Sequence, residues 1–579
     1  MGGDPAATFC ATLVDEWARA GLTDAAVSPG SRSTPMALAL DAQPRVEVHV
    51  FLDERSAAFF ALGVGSRTGR PAVVLTTSGT AAAELHPAVV EAHHADVPLL
   101  AVTADRPPED HGVGAPQTIE QAGLYGGAVR WELDPGVPDP AVAHTWRSLA
   151  ARAHAEACGA GGRPGPVHLN LAFREPLDGR PGPLPPGRRD GLPWHRATPV
   201  AEAVAAGVEE LASRLSGRRG LVVADGDTGD PRPVHRLATE LGWPVLAGAR
   251  SPCRLPEPAT VVAFDALLRH GPFAHRARPE VVLRLGSPPV SRVLAAWLAT
   301  GGAEEMVVGA SGGWRDPSRS AAEVVMADPA TVCAAIARRR PRPAPRRWAA
   351  LWAEAERSAQ RAIDRVVAGH AEVTEPGVAR SLVSCLPAGS GLVVASSMPI
   401  RDVELCARPR DGIRIMANRG TNGIDGTVAT VLGAAARHPR STVGLLGDLA
   451  FLHDAGALVG SAGRRLDAVL VVIDNQGGGI FSFLPQARSV PAPQFERLLA
   501  TPHGVDLPGL VRAHGLEAQE MTEGVDLGPA VTAALGRGGV SVVVVRTDRS
   551  RNVAVHEELH AAVADALTRA PRASVSGRN

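Results

Sequence analysis

The sequence predicts an α/β protein of three doubly wound, parallel-sheet domains. Three observations predict it: a length of 579 residues, two proline- and arginine-rich interruptions, and short apolar runs that alternate with alanine-rich helical stretches in every third. The length exceeds what one growing core accommodates, so several domains are expected. The interruptions are Pro176 to Pro193, containing Arg180-Pro-Gly-Pro-Leu-Pro-Pro, and Arg338 to Arg347, and both read as linkers. They leave units at 1–180, 194–337 and 348–579, or about 180, 150 and 230 residues, ordinary domain sizes.

In the first unit the strand-like runs are Ala25 to Ser28, Val46 to Phe51, Ala72 to Leu75 and Leu99 to Thr103, with a helical stretch at Ser56 to Gly65. The second has Gly220 to Asp225, Val261 to Phe264 and Val281 to Gly286. The third has Gly391 to Ser397, Thr442 to Asp448, Ala468 to Asn475 and Val540 to Val545. Near-continuous apolar strands alternating with helices imply parallel sheets. Ligands of such sheets gather where the strands end, so the polar residues just past these runs are the candidates.

Composition removes several function classes. Apolar residues are 45% of the chain, charged residues 21% and the net charge is -1, which is no electrostatic footprint for nucleic acid. Apolar runs stay short of the roughly 18 residues that span a bilayer, and Met1 to Cys10 lacks a signal-peptide layout, so the cytoplasm is the expected location. Cys10, Cys158, Cys253, Cys333, Cys385 and Cys406 lie far apart with no C-x-x-C pair, unlike a zinc site or disulfide framework. The chain has no lysine, which excludes Schiff-base chemistry, an internal pyridoxal-phosphate aldimine and a P-loop.

The strongest local signal is Gly447-Asp448-Leu449 at the end of one apolar run, followed by Asp474-Asn475-Gln476-Gly477-Gly478-Gly479 at the end of the next. A carboxylate and an amide oxygen on neighbouring strand ends can share a hard cation, and Mg²⁺ takes such oxygens while bridging phosphates. Glycines let the backbone approach a ligand. Read alone, Asp448 and Asn475 could equally cap two helices.

The pattern resembles the diphosphate-binding motif of thiamine-diphosphate enzymes: Gly-Asp-Gly, a spacer, then Asn-Asn. Leu449 stands at the third position, in place of the second glycine, and Asp474 in place of the first asparagine. The resemblance implies the thiamine-diphosphate-binding fold, with Asp448, Asn475 and the Gly477 carbonyl holding Mg²⁺ or Mn²⁺. It places Ser78, Gly79, Gly447, Leu449 and Gly478 around the cofactor. Such a cofactor needs a carboxyl group against its aminopyrimidine ring, to favour the imino form that removes the thiazolium proton. Glu54, after an apolar strand and at the head of a helix, occupies that position in the family. By itself it reads as an acidic first turn.

Further segments sharpen the resemblance: Ser28-Pro-Gly-Ser-Arg-Ser-Thr-Pro35, Asp53-Glu-Arg-Ser-Ala-Ala-Phe-Phe60, Thr77-Ser-Gly-Thr-Ala-Ala-Ala83, Thr103-Ala-Asp-Arg-Pro-Pro108, Asn418-Arg-Gly-Thr-Asn-Gly-Ile-Asp-Gly426 and Gly477-Gly-Gly-Ile-Phe-Ser-Phe-Leu-Pro485. Together they resemble the 2-succinyl-5-enolpyruvyl-6-hydroxy-3-cyclohexene-1-carboxylate synthases of menaquinone biosynthesis, densely in the outer units and thinly in the middle one. That family decarboxylates 2-oxoglutarate and adds the succinyl carbanion to isochorismate.

Both substrates are dianions, and a guanidinium binds a carboxylate through two parallel hydrogen bonds. The resemblance assigns Arg32, Arg106, Arg292, Arg401 and Arg419 to an electropositive pocket, with Ser31, Gln117 and Ser397 as hydrogen-bonding neighbours. It gives Ile424 as support for the bent cofactor and Ile480 and Phe481 as an apolar wall. Ser291 stands where relatives can have lysine and Pro116 where asparagine often occurs, and both bear on acceptor contacts. The family builds its site between two subunits, so a homodimer or dimer of dimers is expected. The alternatives are another thiamine-diphosphate 2-oxo acid decarboxylase or ligase, and a non-catalytic regulatory protein on the same fold.

Overall fold

The computed structural model describes residues 3–195, 207–309, 315–437, 442–521 and 527–569. Eighteen strands among them form three six-stranded sheets in which every pairing is parallel. The first contains β1 (Asp24–Val27), β2 (Glu47–Val50), β3 (Val73–Thr76), β4 (Leu99–Asp105), β5 (Trp131–Leu133) and β6 (Pro166–Ala172), in the order β2-β1-β3-β4-β6-β5. The second contains β7 (Gly220–Asp225), β8 (Val245–Ala247), β9 (Thr260–Val261), β10 (Val281–Gly286), β11 (Glu304–Gly309) and β12 (Ala321–Met326), ordered β12-β11-β10-β7-β8-β9. The third contains β13 (Gly391–Val394), β14 (Arg414–Met416), β15 (Thr442–Gly447), β16 (Ala468–Asp474), β17 (Glu517–Met521) and β18 (Val540–Arg546), ordered β14-β13-β15-β16-β18-β17. The central strands are buried on both faces, which is why they read as unbroken apolar runs. The run Val261 to Phe264 is the exception: its strand is only Thr260–Val261, and Phe264 already opens a helix.

The outer two units share one core. The helix Glu54–Thr68 crosses the helix Thr427–Ala435 so closely that a Cβ on Gly433 would lie 2.0 Å from the Phe60 carbonyl oxygen, and one on Gly63 would lie 2.3 Å from that of Thr430. Only glycine fits at either point. The helix Arg346–Gly369, which opens the final third, contributes Trp348, Trp352, Ala359 and Ile363 to the core of the middle sheet. There they meet Val555, Leu559 and Val563 of the C-terminal helix Arg549–Arg569.

Neither proline-rich stretch is free chain. Between 176 and 195 the backbone is strapped along the first helix, Pro5–Ala20: the Arg180 carbonyl accepts from the Asp4 amide, and the Gly182 amide donates to Thr8 Oγ1. In the second stretch the Ala344 amide donates to the Leu241 carbonyl, and the Arg342 carbonyl accepts from Gly217.

Candidate active site

Each outer sheet carries its candidates on the carboxyl ends of four adjacent strands. In the third sheet Arg419 follows β14, Ser397 follows β13, Asp448 follows β15 and Asn475 follows β16. The chain reverses its winding direction between β13 and β15, the crevice where open parallel sheets bind ligands. In the first sheet Glu54 follows β2, Ser31 and Arg32 follow β1, Ser78 and Gly79 follow β3, and Arg106 follows β4.

At the β15 and β16 ends, Asp448 is 2% exposed and its two carboxylate oxygens accept from the Leu449 and Gly477 amides at 2.7 and 2.8 Å. Burial pushes this carboxyl above the ordinary aspartate range. Gly447 precedes it as the last residue of β15, and the Gly478 amide donates to the Ala500 carbonyl. The Gly477 carbonyl accepts from Gly479, with a second lone pair left for a ligand. Asn475 donates through Nδ2 to Glu375 Oε1 at 2.8 Å, and its Oδ1 is buried with no hydrogen-bond partner among the described residues. A buried carboxylate held high and an orphaned amide oxygen fit a hard divalent cation, which would favour the ionised aspartate and satisfy the oxygen.

Three polar residues of this cradle were not singled out from the sequence. His503 Nε2 lies 3.3 Å from Asp448 Oδ2 and 3.7 Å from Asp474 Oδ1, so Asp448, Asp474 and His503 form a second possible ligand set. Glu375, at the head of the helix Glu375–Cys385, also accepts from Thr547 Oγ1 at 3.2 Å. Burial, and next the Asp402 charge, push the Glu375 carboxyl up to about 8. Nothing local in the sequence marks these residues, because they reach the cradle from other elements. The helical turn Gly479–Phe483 carries half-buried Ile480 and Phe481, and Ile424 packs on the core shared by the outer units.

The arginines gather in two sets. Arg401 donates to the Ser397 carbonyl, within a backbone turn where Ser397 has φ 77°, and it lies within electrostatic reach of Arg292. Arg419 is flanked by Arg250 and Arg401, with Asp225 and Glu404 opposing them. Burial and then these neighbouring cations depress both Arg401 and Arg419. Among the described residues, neither Arg292 nor half-buried Arg419 has a hydrogen bond or ion pair through its guanidinium. Arg250, at the end of β8, pairs with Asp225 at 2.9 Å and was missed from the sequence, where it resembles any surface arginine.

In the other set Arg32, 5% exposed, donates to the Phe173 carbonyl at 2.8 Å and lies beside Arg106, whose Nε is buried without a partner among the described residues. Ser31 is exposed. Ser78 Oγ donates to the Gln117 carbonyl and Gln117 Nε2 to the Ser78 carbonyl, both at 2.9 Å. The Gly79 amide donates to the buried side chain of Gln121 at 2.9 Å. Glu54 is the first residue of its helix, behind the cap Asp53, and its half-buried carboxylate has no partner among the described residues. No hydrogen bond or ion pair among the described residues joins Glu54, Ser78, Gln117, Arg32 or Arg106 to the Asp448 cradle.

Three parallel sheets, a carboxylate, amide and glycine cradle at one switch point, and a free glutamate at the corresponding edge of another sheet define a thiamine-diphosphate-dependent enzyme. Comparison with known proteins agrees. Residues 8–124 match the thiamine pyrophosphate enzyme N-terminal TPP binding domain, 188–394 the middle domain and 405–545 the C-terminal TPP binding domain. Synthases of 2-succinyl-5-enolpyruvyl-6-hydroxy-3-cyclohexene-1-carboxylate (SEPHCHC) are similar along nearly the whole chain. That of Thermobifida fusca (strain YX) is 43% identical, with 97% of this chain and 100% of the relative covered. Those of Chloroflexus aurantiacus and Myxococcus xanthus are 42% and 41% identical, with 97% and 96% of this chain and 97% of each relative covered. The chain belongs to the SEPHCHC synthase family.

Proposed function

We propose that the protein decarboxylates 2-oxoglutarate with thiamine diphosphate and Mg²⁺ or Mn²⁺ and adds the resulting succinyl carbanion to isochorismate, forming SEPHCHC and CO₂ in menaquinone biosynthesis. The observation that carries this reading is the cluster of Arg292, Arg401 and Arg419: among the described residues two of them have no hydrogen bond or ion pair through the guanidinium, and Arg401 and Arg419 follow β13 and β14, next to the strand that ends at Asp448. Like charges held together where two of the three, Arg401 and Arg419, are half-buried are unfavourable until a ligand neutralises them, and two dicarboxylates supply the required anions. An enzyme of this class acting on uncharged acceptors has no use for them.

In this reading Asp448, Asn475 and the Gly477 carbonyl hold the metal and through it the diphosphate, with Gly447, Leu449 and Gly478 lining the backbone cradle. Thiamine diphosphate supplies a carbon nucleophile and an electron sink when bound. Glu54 holds the aminopyrimidine edge, Ile424 supports the cofactor, and Ser78, Gly79 and Gln117 complete the first-domain edge. Arg32, Arg106, Arg292, Arg401 and Arg419 orient the carboxylates, with Ser31 and Ser397 donating hydrogen bonds. Ile480 and Phe481 shield the reacting carbon from water.

The working unit in this reading is a homodimer or dimer of dimers, with Glu54 of one subunit facing the cradle of another. Val50 and Leu52, 53% and 73% exposed beside Glu54, give that edge an apolar surface suited to a partner. Among the described residues no helix is long and apolar enough to cross a membrane. The proposed location is the cytoplasm, and the proposed domain limits are 1–180, 194–337 and 348–579.

The test is turnover of 2-oxoglutarate and isochorismate by the purified protein with cofactor and Mg²⁺, followed by CO₂ release and loss of isochorismate absorbance, with Glu54→Gln in parallel. Coupled turnover that falls roughly 10²- to 10⁴-fold in the folded variant supports the reading. CO₂ release without isochorismate consumption would point to a different acceptor.

A further inference from the structure

The loop 418–426 carries Arg419 and Ile424, yet its anchor lies in another unit. Glu91, on the helix His86–Ala95 of the first domain, is 2% exposed. Its Oε1 accepts from the Gly420 amide, and its Oε2 accepts from both the Thr421 amide and Thr421 Oγ1, each at 2.7 Å. The loop lies directly against the helix: a Cβ on Gly420 would be 2.6 Å from the Glu91 carbonyl oxygen and 2.9 Å from the Ala95 amide nitrogen. One turn further, Asp96 caps the same helix and pairs with Arg130 and Arg163 at 2.9 and 2.6 Å, and with Arg315 of the middle unit. The helix therefore touches all three units. Among the described residues Arg419 has no guanidinium hydrogen bond or ion pair of its own, so the backbone of Gly420 and Thr421 is what fixes its place beside Arg401 and Arg250.

We infer that Glu91 is a positioning residue for substrate binding, which holds Arg419 at the anion-binding pocket by fixing the backbone of Gly420 and Thr421 across the domain boundary. This rests on the reading of Arg419 as a carboxylate-binding residue. A carboxylate satisfies all three donors at once. A glutamine at the same place offers one acceptor oxygen, while its NH₂ confronts an N–H, so the loop loses its register without a change in side-chain volume.

The test compares Glu91→Gln, Thr421→Ala, Arg419→Ala and the double variant Glu91→Gln/Arg419→Ala in the assembled, cofactor-loaded protein. KM for each substrate and kcat are measured separately, and thermal midpoints monitor folding. Arg419→Ala is expected to raise KM for one of the two anionic substrates. Glu91→Gln should raise KM for that same substrate by roughly tenfold, leave the other KM within about twofold, and add nothing in the Arg419→Ala background, because both act through one guanidinium. Thr421→Ala, which removes one of the three bonds and no charge, should give a smaller shift on the same substrate, and decides the matter if Glu91→Gln fails to fold. Unchanged KM in Glu91→Gln and Thr421→Ala while Arg419→Ala is impaired overturns the inference, as do fully additive effects in the double variant. Unchanged KM in Arg419→Ala overturns the underlying reading of the pocket instead.

Discussion

Glu375 Oε1 accepts the Asn475 side-chain amide at 2.8 Å, and this bond decides which end of the amide is left free beside the strand end that carries Asp448. With Nδ2 engaged, Oδ1 is the atom available to a cation. Groups that orient a metal ligand commonly contribute 10- to 100-fold to metal affinity. Glu375→Ala is expected to weaken Mg²⁺ binding by roughly that factor, as read by calorimetric titration in the presence of thiamine diphosphate. Undiminished affinity in a folded variant would remove Glu375 from the cradle.

The apolar surface at Val50 and Leu52 leads to a second expectation. Leu52→Glu places a charge on a side chain that is 73% exposed in the single chain, so the isolated fold should tolerate it. If this edge is the subunit interface, desolvating that charge weakens dimerisation by roughly 100-fold and activity falls with dimer content. Analytical ultracentrifugation with parallel assays reads both, and a fully active dimer would sink the interface assignment.

The crossing of the first- and third-unit helices at Gly63 and Gly433 has no room for a methyl group, since the obstructions are the Thr430 and Phe60 carbonyl oxygens respectively. Gly433→Ala must push the helices apart. A cost of about 1–3 kcal/mol follows from overpacking of this kind, seen as a lowered thermal midpoint. An unchanged midpoint would mean that the two units separate without consequence.

Asp454 is fully buried and accepts from the Ala429 amide at 2.8 Å, and burial raises its carboxyl from 3.8 to about 7. The fold thus favours the neutral form over the ionised one. Its contribution is fully present below the unfolded value near 4 and is lost as pH rises through about 7, which amounts to several kcal/mol at most. Asp454→Asn should flatten this part of the stability profile, making the variant relatively more stable than the parent at pH 8 than at pH 4 in denaturant melts. Parallel profiles for the two proteins would refute the assignment.

Much of this architecture was legible in the chain because parallel strands buried on both faces leave uninterrupted apolar runs, as in β4, β16 and β18. The same runs point to the polar residues past their ends, so Asp448 and Asn475 stand out by position as well as by type. The Val261 to Phe264 run misled because an apolar tetrapeptide does not distinguish a strand end from a helix start.

The sequence by itself determined the chemistry on offer: an all-arginine, lysine-free set of cations, a carboxylate and amide pair with adjoining glycines, and a glutamate at the head of a helix. Only the tertiary structure decided which groups serve those residues. Glu375, His503 and Arg250 reach the strand ends from distant segments, and Glu91 ties a loop more than 300 positions away in sequence. Local patterning carries no record of such contacts. Buried polar groups must find partners wherever packing brings one within hydrogen-bonding distance, and the packing of three sheets, unlike the period of a strand, is not written in any single stretch of chain.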